Sequence, residues 1–347
     1  MKIKAVSVLN GGEILAEPIL TEEKEILIPK GTKLKEDYVP LIQSLGIDSL
    51  MVEDPYENYE IPQFISSPDE LEKMVSCVRK LMEGHIYHSQ KSLREFEIIA
   101  NDVVKQMEKV PENVVIDLKE RNADLYEHTV MVTLLSVLVA KKLKLDSKIQ
   151  YNVAVGCLLH DIGLRYITVP YKNRDISEAD AAENFEYKKH TILGYSALDN
   201  ENWIPEISRK MILSHHENIK GTGFPMKQKN KEVECRILQA CDAFDCAISG
   251  MECRRVSVQQ ALQDITDEAD ILYEKKIVEN LVSGVARYPV GTTVKTNGET
   301  KGVVISQTVD PDNPIIMLLD KDFSEENEKF NKLNLMLEKN ISILHVV

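Results

Sequence analysis

The spacing of apolar residues changes along the chain, and each spacing predicts a different kind of element. Over residues 1–54, short apolar strings alternate with turn residues, which indicates a small β-rich segment with one helix near 37–45. Over residues 121–287 the apolar residues form long helical runs, and from residue 288 β-branched strings return. The pattern predicts a mainly α protein, in which a helical bundle is flanked by small β-rich N-terminal and C-terminal segments.

Residues 55–120 are predicted to be a linker followed by a long helical region. The linker is the Pro-punctuated stretch 54–64, and SPDE (67–70) has a capping serine, a proline at the first helical position and a glutamate three residues after the serine. The apolar residues that follow have spacings of three and four: Leu71, Met74, Val78 and Leu81. We expect this stripe to form the seam of a homodimer through the helical region 69–108.

Two apolar runs predict the centre of the bundle. HTVMVTLLSVLVAKKLKL (128–145) is apolar nearly all round, as in a core helix. KIQYNVAVGCLLHDIG (148–163) predicts a second helix, which Gly163 is expected to end. Beyond the bundle, Asn297-Gly298 lies between β-branched strings and predicts a hairpin in a small β-rich domain, 288–347.

Composition and charge exclude several classes of protein. A hydrophobic content of 43% with 28% charged residues is typical of a globular protein, and a net charge of −14 argues against a nucleic acid polymer as partner. The six cysteines form no CxxC pair, which indicates reduced thiols in the cytoplasm. The first twenty residues lack a signal-peptide apolar region, and no run of about 18 apolar residues predicts a membrane helix.

Ionisable side chains are concentrated in the helical segment, next to apolar stretches. Burying an unpaired polar group costs about 2–7 kcal/mol, so such residues need partners. Each one alone is more typical of a surface or capping residue, but several helices each offer an imidazole or a carboxylate, and together they favour a metal site. The candidate ligands are Asp124, His128, His160, Asp161, His190, His215, His216 and Asp242.

The mixture of donors indicates which ions would bind. Imidazoles and carboxylates without cysteine suit Fe or Mn, with Zn as an alternative. Eight ligands exceed the needs of one octahedral ion, so two or three divalent ions are expected. Two neighbouring ions can lower the pKa of a bridging water and hold both oxygens of an in-line displacement at phosphorus. The site would then be a positive focus for phosphate in an acidic protein.

These residues resemble a known family. His128, His160-Asp161 and Asp242 are similar to the pattern of the HD superfamily of metal-dependent phosphohydrolases. HHENIKGTGFP (215–225), with HTILG (190–194) before it, resembles the HD-GYP subfamily, whose members hydrolyse the bacterial second messenger cyclic di-GMP. The resemblance covers roughly 121–283, and YPVGT (288–292) is similar to a segment that often follows this domain.

The resemblance implies an HD-type bundle that encloses the metal ions, and a phosphodiesterase activity. His160 and Asp161 would be catalytic, with Asp161 bridging two ions. A metal-bridging hydroxide would attack a phosphorus of cyclic di-GMP to give pGpG, or GMP after a second cut. The loop 215–225 would cover the site or dock a signalling partner. The candidate substrate-binding residues are Arg165, Lys220, Gly221, Gly223 and Arg254.

This chain departs from the family pattern around the substrate. The lysine that usually follows HDIG is Leu164, the family's DGxGYP reads KGTGFP (220–225), and its RPYR reads MECR (251–254). Two alternatives to cyclic di-GMP hydrolysis therefore stay open. One is a phosphodiesterase for another cyclic nucleotide or dinucleotide. The other is a slow, metal-bound domain that binds the nucleotide and signals through a partner.

Overall fold

The computed structural model describes residues 2–6, 9, 12–20, 26–35, 37–44, 49–53, 65–87, 93–319 and 332–346. The predicted linker 54–64 lies outside these residues. Contacts between Cα atoms divide the chain into two compact units, Met1–Ile61 and Pro62–Val347. The boundaries placed near residues 54, 120 and 287 stay predictions.

The first unit contains short antiparallel strands and one helix, in agreement with the alternation of apolar strings and turns. Strand β1 (Lys2–Ala5) pairs with β4 (Ser49–Val52), and β2 (Ile19–Leu20) pairs with β3 (Ile26–Ile28). Helix α1 spans Tyr38–Ser44. The small core of the first unit includes Val6, Leu9, Leu15, Ile19, Leu34, Ile42, Leu50 and Val52.

The second unit is mainly helical and ends in a small antiparallel sheet, so the predicted fold class is confirmed. The α-helices in its described part are α2 (Pro68–Tyr87), α3 (Glu95–Glu108), α4 (Leu125–Lys142), α5 (Ser147–Leu159), α6 (Ala181–Lys188), α7 (His190–Ala197), α8 (Glu206–Ser214), α9 (Val233–Ser249), α10 (Val258–Asp267) and α11 (Lys275–Val282). No helix among the described residues is long and apolar enough to cross a membrane.

Helix α2 begins where its capping sequence predicts. The Ser67 backbone N–H donates to Glu70 Oε2 at 3.1 Å, and the Glu70 N–H donates to Ser67 Oγ at 3.4 Å. The stripe on this helix, however, packs on the chain's own core. Val78 is buried, and Leu71, Met74 and Leu81 are half-buried against the same core. The stripe is therefore a contact within the second unit, because the core offers these apolar side chains a partner surface.

Helix α4 lies at the centre of the bundle, as its apolar sequence predicts. Its side chains are buried from Leu125 to Ala140 with the exception of Glu127. Helices α5 and α9 pack against it, and both are also largely buried. Polar side chains on these three helices are therefore held inside a rigid apolar core.

Gly163 has a different role from the one predicted. Helix α5 ends at Leu159, and residues Ile162–Tyr166 form a 3-10 helix. A Cβ built on Gly163 would stand 1.8 Å from the backbone oxygen of His190. Gly163 thus permits close contact between the 3-10 helix and α7. It does not have the positive φ of a left-handed helix cap. The sequence could not predict this role, because the contact depends on the tertiary fold.

The C-terminal strands form one antiparallel sheet in the order β8-β7-β6-β5-β9. The strands are β5 (Thr293–Thr296), β6 (Lys301–Ser306), β7 (Ile315–Leu318), β8 (Lys332–Asn334) and β9 (Ile343–Val346). Strands β5 and β6 pair on either side of the turn that contains Asn297 and Gly298, which confirms the predicted hairpin. Asp117 Oδ1 accepts hydrogen bonds from the Val290 N–H and from Gln307 Nε2, both at 2.8 Å, and so links the sheet to the bundle.

Candidate metal centre

Asp161 lies between two groups of histidines, one group facing each carboxylate oxygen. Oδ2 is 3.6 Å from His128 Nε2 and 3.4 Å from His160 Nε2. Oδ1 is 3.7 Å from His190 Nε2 and 3.5 Å from His215 Nε2. A carboxylate in this position is suited to bridge two ions, one on each side.

Asp242 completes the first of these groups. Its Oδ1 lies 3.1 Å from His128 Nε2 and 3.4 Å from His160 Nε2. His216 extends the second group, because its Nε2 is 3.2 Å from His190 Nε2. Seven of the eight predicted ligands are therefore brought together by the fold: His128, His160, Asp161, His190, His215, His216 and Asp242.

The backbone fixes the orientation of three of the imidazoles in the same way. Nδ1 of His160 donates to the Cys157 carbonyl at 2.7 Å, Nδ1 of His190 to the Tyr187 carbonyl at 2.8 Å, and Nδ1 of His215 to the Ile212 carbonyl at 2.9 Å. Each acceptor lies three residues earlier in the chain. With the proton on Nδ1, each Nε2 presents a lone pair to the centre.

The fourth imidazole is oriented by a carboxylate. His128 Nδ1 is 2.7 Å from Asp245 Oδ2, and the guanidinium of Arg121 forms a salt bridge with the same carboxylate. Asp245 is fully buried, so this ion pair is shielded from water. A histidine whose outer nitrogen bonds to a carboxylate is the common arrangement for a metal ligand, because the outer contact fixes the ring and raises its basicity.

The nitrogen lone pairs at the centre need a cation. His190 Nε2 and His215 Nε2 stand 3.1 Å apart, although their hydrogens are on the opposite side of each ring. His160 Nε2 is buried and has no hydrogen-bond partner. Two nitrogens bound to one ion at about 2.1 Å are roughly 3.0–3.4 Å apart, which matches this spacing. The residues therefore fit divalent metal ions of the type that bind nitrogen and oxygen donors.

The pKa values of the histidines differ between the two groups that face Asp161. Burial alone would lower the pKa of His128, but hydrogen bonds to Asp242 and Asp245 raise it to about 9. Burial would raise the pKa of Asp161, but the adjacent His160 holds it well below its usual range. Burial lowers the pKa of His190 to about 3, so this imidazole stays neutral. Ionised carboxylates and neutral imidazoles are the forms that bind metal, so Asp161 and His190 are already in the binding form, whereas His128 must release a proton when an ion binds.

Asp124 is held away from the cluster. It is the N-cap of α4, and its Oδ1 accepts from the N–H groups of Tyr126 and Glu127, both at 3.0 Å. Its Oδ2 accepts from Arg79 of α2 at 3.0 Å. Asp124 belongs to none of the described groups of three or more donors within 4.8 Å, so its role as a ligand stays a prediction.

Two further donors were missed by sequence reasoning. Cys246 follows Asp242 by four residues on α9, and its Sγ is 3.6 Å from Asp242 Oδ1. Residues four apart lie on one helix face, so the spacing from Asp242 could have revealed Cys246 as a donor. Glu252 lies in an irregular turn after α9, and its Oε2 is 3.7 Å from His216 Nε2. No periodic pattern covers that turn, so the sequence gives no signal for Glu252.

The loop that resembles the HD-GYP signature is shaped by two side chains. Glu217 accepts from the N–H groups of Met226 and Gln228 at 2.6 and 3.0 Å, and Asn218 Oδ1 accepts from three successive N–H groups, 220–222, at 2.8–3.1 Å. A Cβ on Gly223 would stand 2.1 Å from the His216 carbonyl oxygen. The loop backbone is thus tied closely to the His215-His216 pair.

The predicted substrate-binding residues lie at different depths. A cavity beside the centre is lined by Asp161, Leu164, Tyr171, Tyr187, His216, Asp242, Cys246, Met251 and Glu252. Lys220 is exposed on the loop, and Gly221 has the left-handed φ of +81°. Arg254 is 75% exposed and pairs with Glu178 at 3.0 Å. Arg165 lies within electrostatic range of Tyr126 and Tyr171, where it opposes the rise in pKa that burial causes in both hydroxyls.

Comparison with known proteins agrees with the fold. Residues 109–277 match the family model of the HD domain. An HDG"Y"P protein from Bdellovibrio bacteriovorus superposes with a TM-score of 0.51 at 15% identity, covering 81% of this chain and 98% of that one. At this identity the likeness concerns the fold alone.

Curated relatives match more than half of the chain. A cyclic di-GMP phosphodiesterase of Pseudomonas aeruginosa is 26% identical over 195 residues, which are 55% of this chain and 47% of that protein. A cyclic di-GMP phosphodiesterase of Thermotoga maritima is 24% identical over 234 residues, 62% of this chain and 63% of that protein. The chain thus spans about half to three fifths of the length of these relatives. Residues 109–277 therefore form an HD domain, and these relatives support the predicted resemblance to the HD-GYP subfamily.

Proposed function

We propose that this protein is a metal-dependent phosphodiesterase that hydrolyses cyclic di-GMP to pGpG, GMP or both. The observation that carries the proposal is the position of Asp161, whose two oxygens face two separate groups of imidazole Nε2 atoms. The names of the relatives support the substrate.

The residues around Asp161 would hold two or three divalent ions, and we propose Fe or Mn. His128, His160 and Asp242 would serve one side, and His190, His215 and His216 the other. When bound, such ions lower the pKa of a water molecule and neutralise charge that develops on the phosphate. The protein's own contribution is a set of donors that the backbone and Asp245 have already oriented.

The phosphodiester would lie at the mouth of this narrow cavity, next to Asp161. We propose that the loop containing Lys220, Gly221 and Gly223 covers the substrate, because its backbone is tied to His215-His216. Arg165 and Arg254 are the proposed cations for the outer parts of the dinucleotide. In this structure Arg254 contacts Glu178, so it would have to exchange that exposed partner for the ligand.

One observation favours a different cyclic nucleotide. Leu164 and Met251 are both buried and line the cavity where the family pattern has cationic side chains. Apolar walls cannot donate to a phosphate, so the phosphate contacts that the family pattern provides for cyclic di-GMP are missing on this side. A phosphodiesterase for another cyclic dinucleotide is therefore the second candidate.

The test is a comparison of substrates. Protein reconstituted anaerobically with Fe or Mn is expected to contain at least two ions per chain and to convert cyclic di-GMP to pGpG or GMP. Cyclic di-AMP and cyclic GMP-AMP serve as competing substrates, and products are separated by chromatography. Faster turnover of either competitor would establish the second candidate. Metal-loaded protein that binds these nucleotides and turns none over would point to a signalling domain.

We also propose that the protein forms a homodimer through the helical region 69–108 and signals to a partner protein. Since the stripe on α2 packs inward, the contact would use other side chains of this region. Ile98 on α3 is a candidate because it is a large apolar side chain with 61% exposure.

A further inference from the structure

Glu252 is a carboxylate at the centre that the predicted ligand set does not use. Its Oε2 is 3.7 Å from His216 Nε2, and the Tyr187 hydroxyl donates to the same oxygen. Ligand atoms of His216, Asp242 and Glu252 all lie within 4.8 Å of one another. This group is separate from the one formed by His128, His160 and Asp161.

The backbone directs Glu252 into the cavity at a conformational cost. Its φ is +49°, a left-handed value that a residue with a β-carbon rarely adopts. The residues on either side of Glu252 are joined by a hydrogen bond, in which the Cys253 N–H donates to the Met251 carbonyl at 2.6 Å. The Glu252 carbonyl accepts from the Ile176 N–H at 3.0 Å. The turn is thus fixed on both sides, and its geometry would suit glycine better than glutamate.

The surroundings of Glu252 call for a cation. Asp161 and Asp242 line the same cavity, and the described lining residues include no lysine or arginine. Tyr187 can donate one hydrogen bond to Glu252 but brings no positive charge. Among the described residues, the buried His160 Nε2 has no hydrogen-bond partner, although it lies 3.4 Å from Asp242 Oδ1 at the same centre. The ligand atoms of His216, Asp242 and Glu252 are one nitrogen and two oxygens, which are donors that suit Fe or Mn.

We propose that Glu252 binds a divalent metal ion together with His216 and Asp242, which adds a carboxylate ligand to the predicted set. This inference rests on the proposed metal-dependent function. It gives the centre a third acidic ligand from the turn after α9. That ligand does not depend on Asp124, which is engaged by Arg79 and by its own helix.

The test measures metal rather than activity. Wild-type protein, Glu252→Gln and the control Glu178→Gln are reconstituted anaerobically with Mn²⁺, and the ions per chain and their release to a chelator are measured. We expect Glu252→Gln to bind one ion fewer, or to hold its weakest ion at least about tenfold less tightly. The control removes an exposed carboxylate that pairs with Arg254 and should match the wild type.

A second variant separates ligation from a role in folding. Glu252→Gly removes the carboxylate and also relieves the left-handed backbone, so in the absence of metal its melting temperature should equal or exceed that of the wild type. Loss of the same ion in Glu252→Gly and in Glu252→Gln supports the proposal. Wild-type metal content and release in both variants would overturn it. Wild-type protein that binds no metal at all would instead overturn the proposed function.

Discussion

Asp161 makes contacts through both of its oxygens, and each oxygen faces a different group of imidazoles. Because both groups of imidazoles face this carboxylate, its charge acts on both. Without this negative charge, less would offset the repulsion between metal ions bound on the two sides. The effect should therefore be larger than for a ligand that serves one side only.

Asp161→Asn tests this role while it keeps the shape of the side chain. We expect hydrolysis to be lost and metal content to fall below one ion per chain, as measured by elemental analysis after anaerobic reconstitution. Asp175→Asn, at the half-buried cap of a 3-10 helix, is the matched control and should behave as wild type. Wild-type turnover in Asp161→Asn would show that the carboxylate is structural.

Asp245 acts through His128 and is a positioning residue. Asp245→Asn removes the charge that Arg121 pairs with and weakens the bond that orients the ring. We expect metal to be held about 10- to 100-fold less tightly, the usual effect of losing such an outer contact. The measurement is competition with a chelator, with Asp264→Asn on the exposed face of α10 as control. Unchanged metal affinity would contradict the assignment.

Leu164 faces the cavity, so a cation there would reach the substrate phosphate. A charge-assisted hydrogen bond contributes about 1.5–3 kcal/mol, so Leu164→Lys should lower KM for cyclic di-GMP by about 10- to 150-fold, with a smaller change in kcat. Arg254→Ala should raise KM by a smaller factor, since that side chain is exposed. Initial-rate kinetics decide between these outcomes. If Leu164→Lys leaves KM unchanged, the alternative substrate gains support.

At the scale of elements, the centre depends on how closely α7 approaches the 3-10 helix after α5. Gly163 and Gly194 face each other at this contact, where a Cβ on Gly194 would lie 3.2 Å from the Gly163 nitrogen. The contact brings Asp161 and His190 together from segments that are far apart in the sequence.

Gly163→Ala is expected to force this contact open. The added Cβ would meet the His190 carbonyl oxygen, which is backbone and cannot rotate away. We expect a loss of about 1–3 kcal/mol in the free energy of unfolding, measured by denaturant titration, together with reduced metal content. Gly298→Ala in the hairpin turn, where the nearest atom is 3.7 Å away, should change both little. Equal effects of the two substitutions would refute this explanation.

The elements themselves were largely predictable, and their contacts were not. The apolar runs of α4 and α5, the capping box of α2 and the hairpin at Asn297 are local patterns, and the structure reproduces them. The role of Gly163 and the packing of the α2 stripe depend on surfaces contributed by distant segments. Glu252 depends on an irregular turn, for which residue spacing carries no information.

At the scale of the whole molecule, the proposed homodimer can be tested by measuring the mass of the protein in solution. Light scattering at tens of micromolar should give about twice the chain mass of 39.4 kDa if the proposed homodimer forms. Ile98→Glu places a charge on the exposed apolar position of α3 and should shift the mass to that of one chain. Ile192→Glu, an exposed apolar position outside this region, is the control. A monomer in the wild type would remove the dimer proposal.

The Asn218 side chain has a consequence for how such a protein could change its specificity. Asn218 Oδ1 accepts from the backbone N–H groups of residues 220–222, and Lys220 is exposed, so the course of the loop does not depend on the Lys220 side chain. Replacements of Lys220 would alter the surface offered to a ligand or a partner and leave the loop in place. An engineer could diversify this position in a library while the metal ligands stay untouched, and a lineage could drift there in the same way.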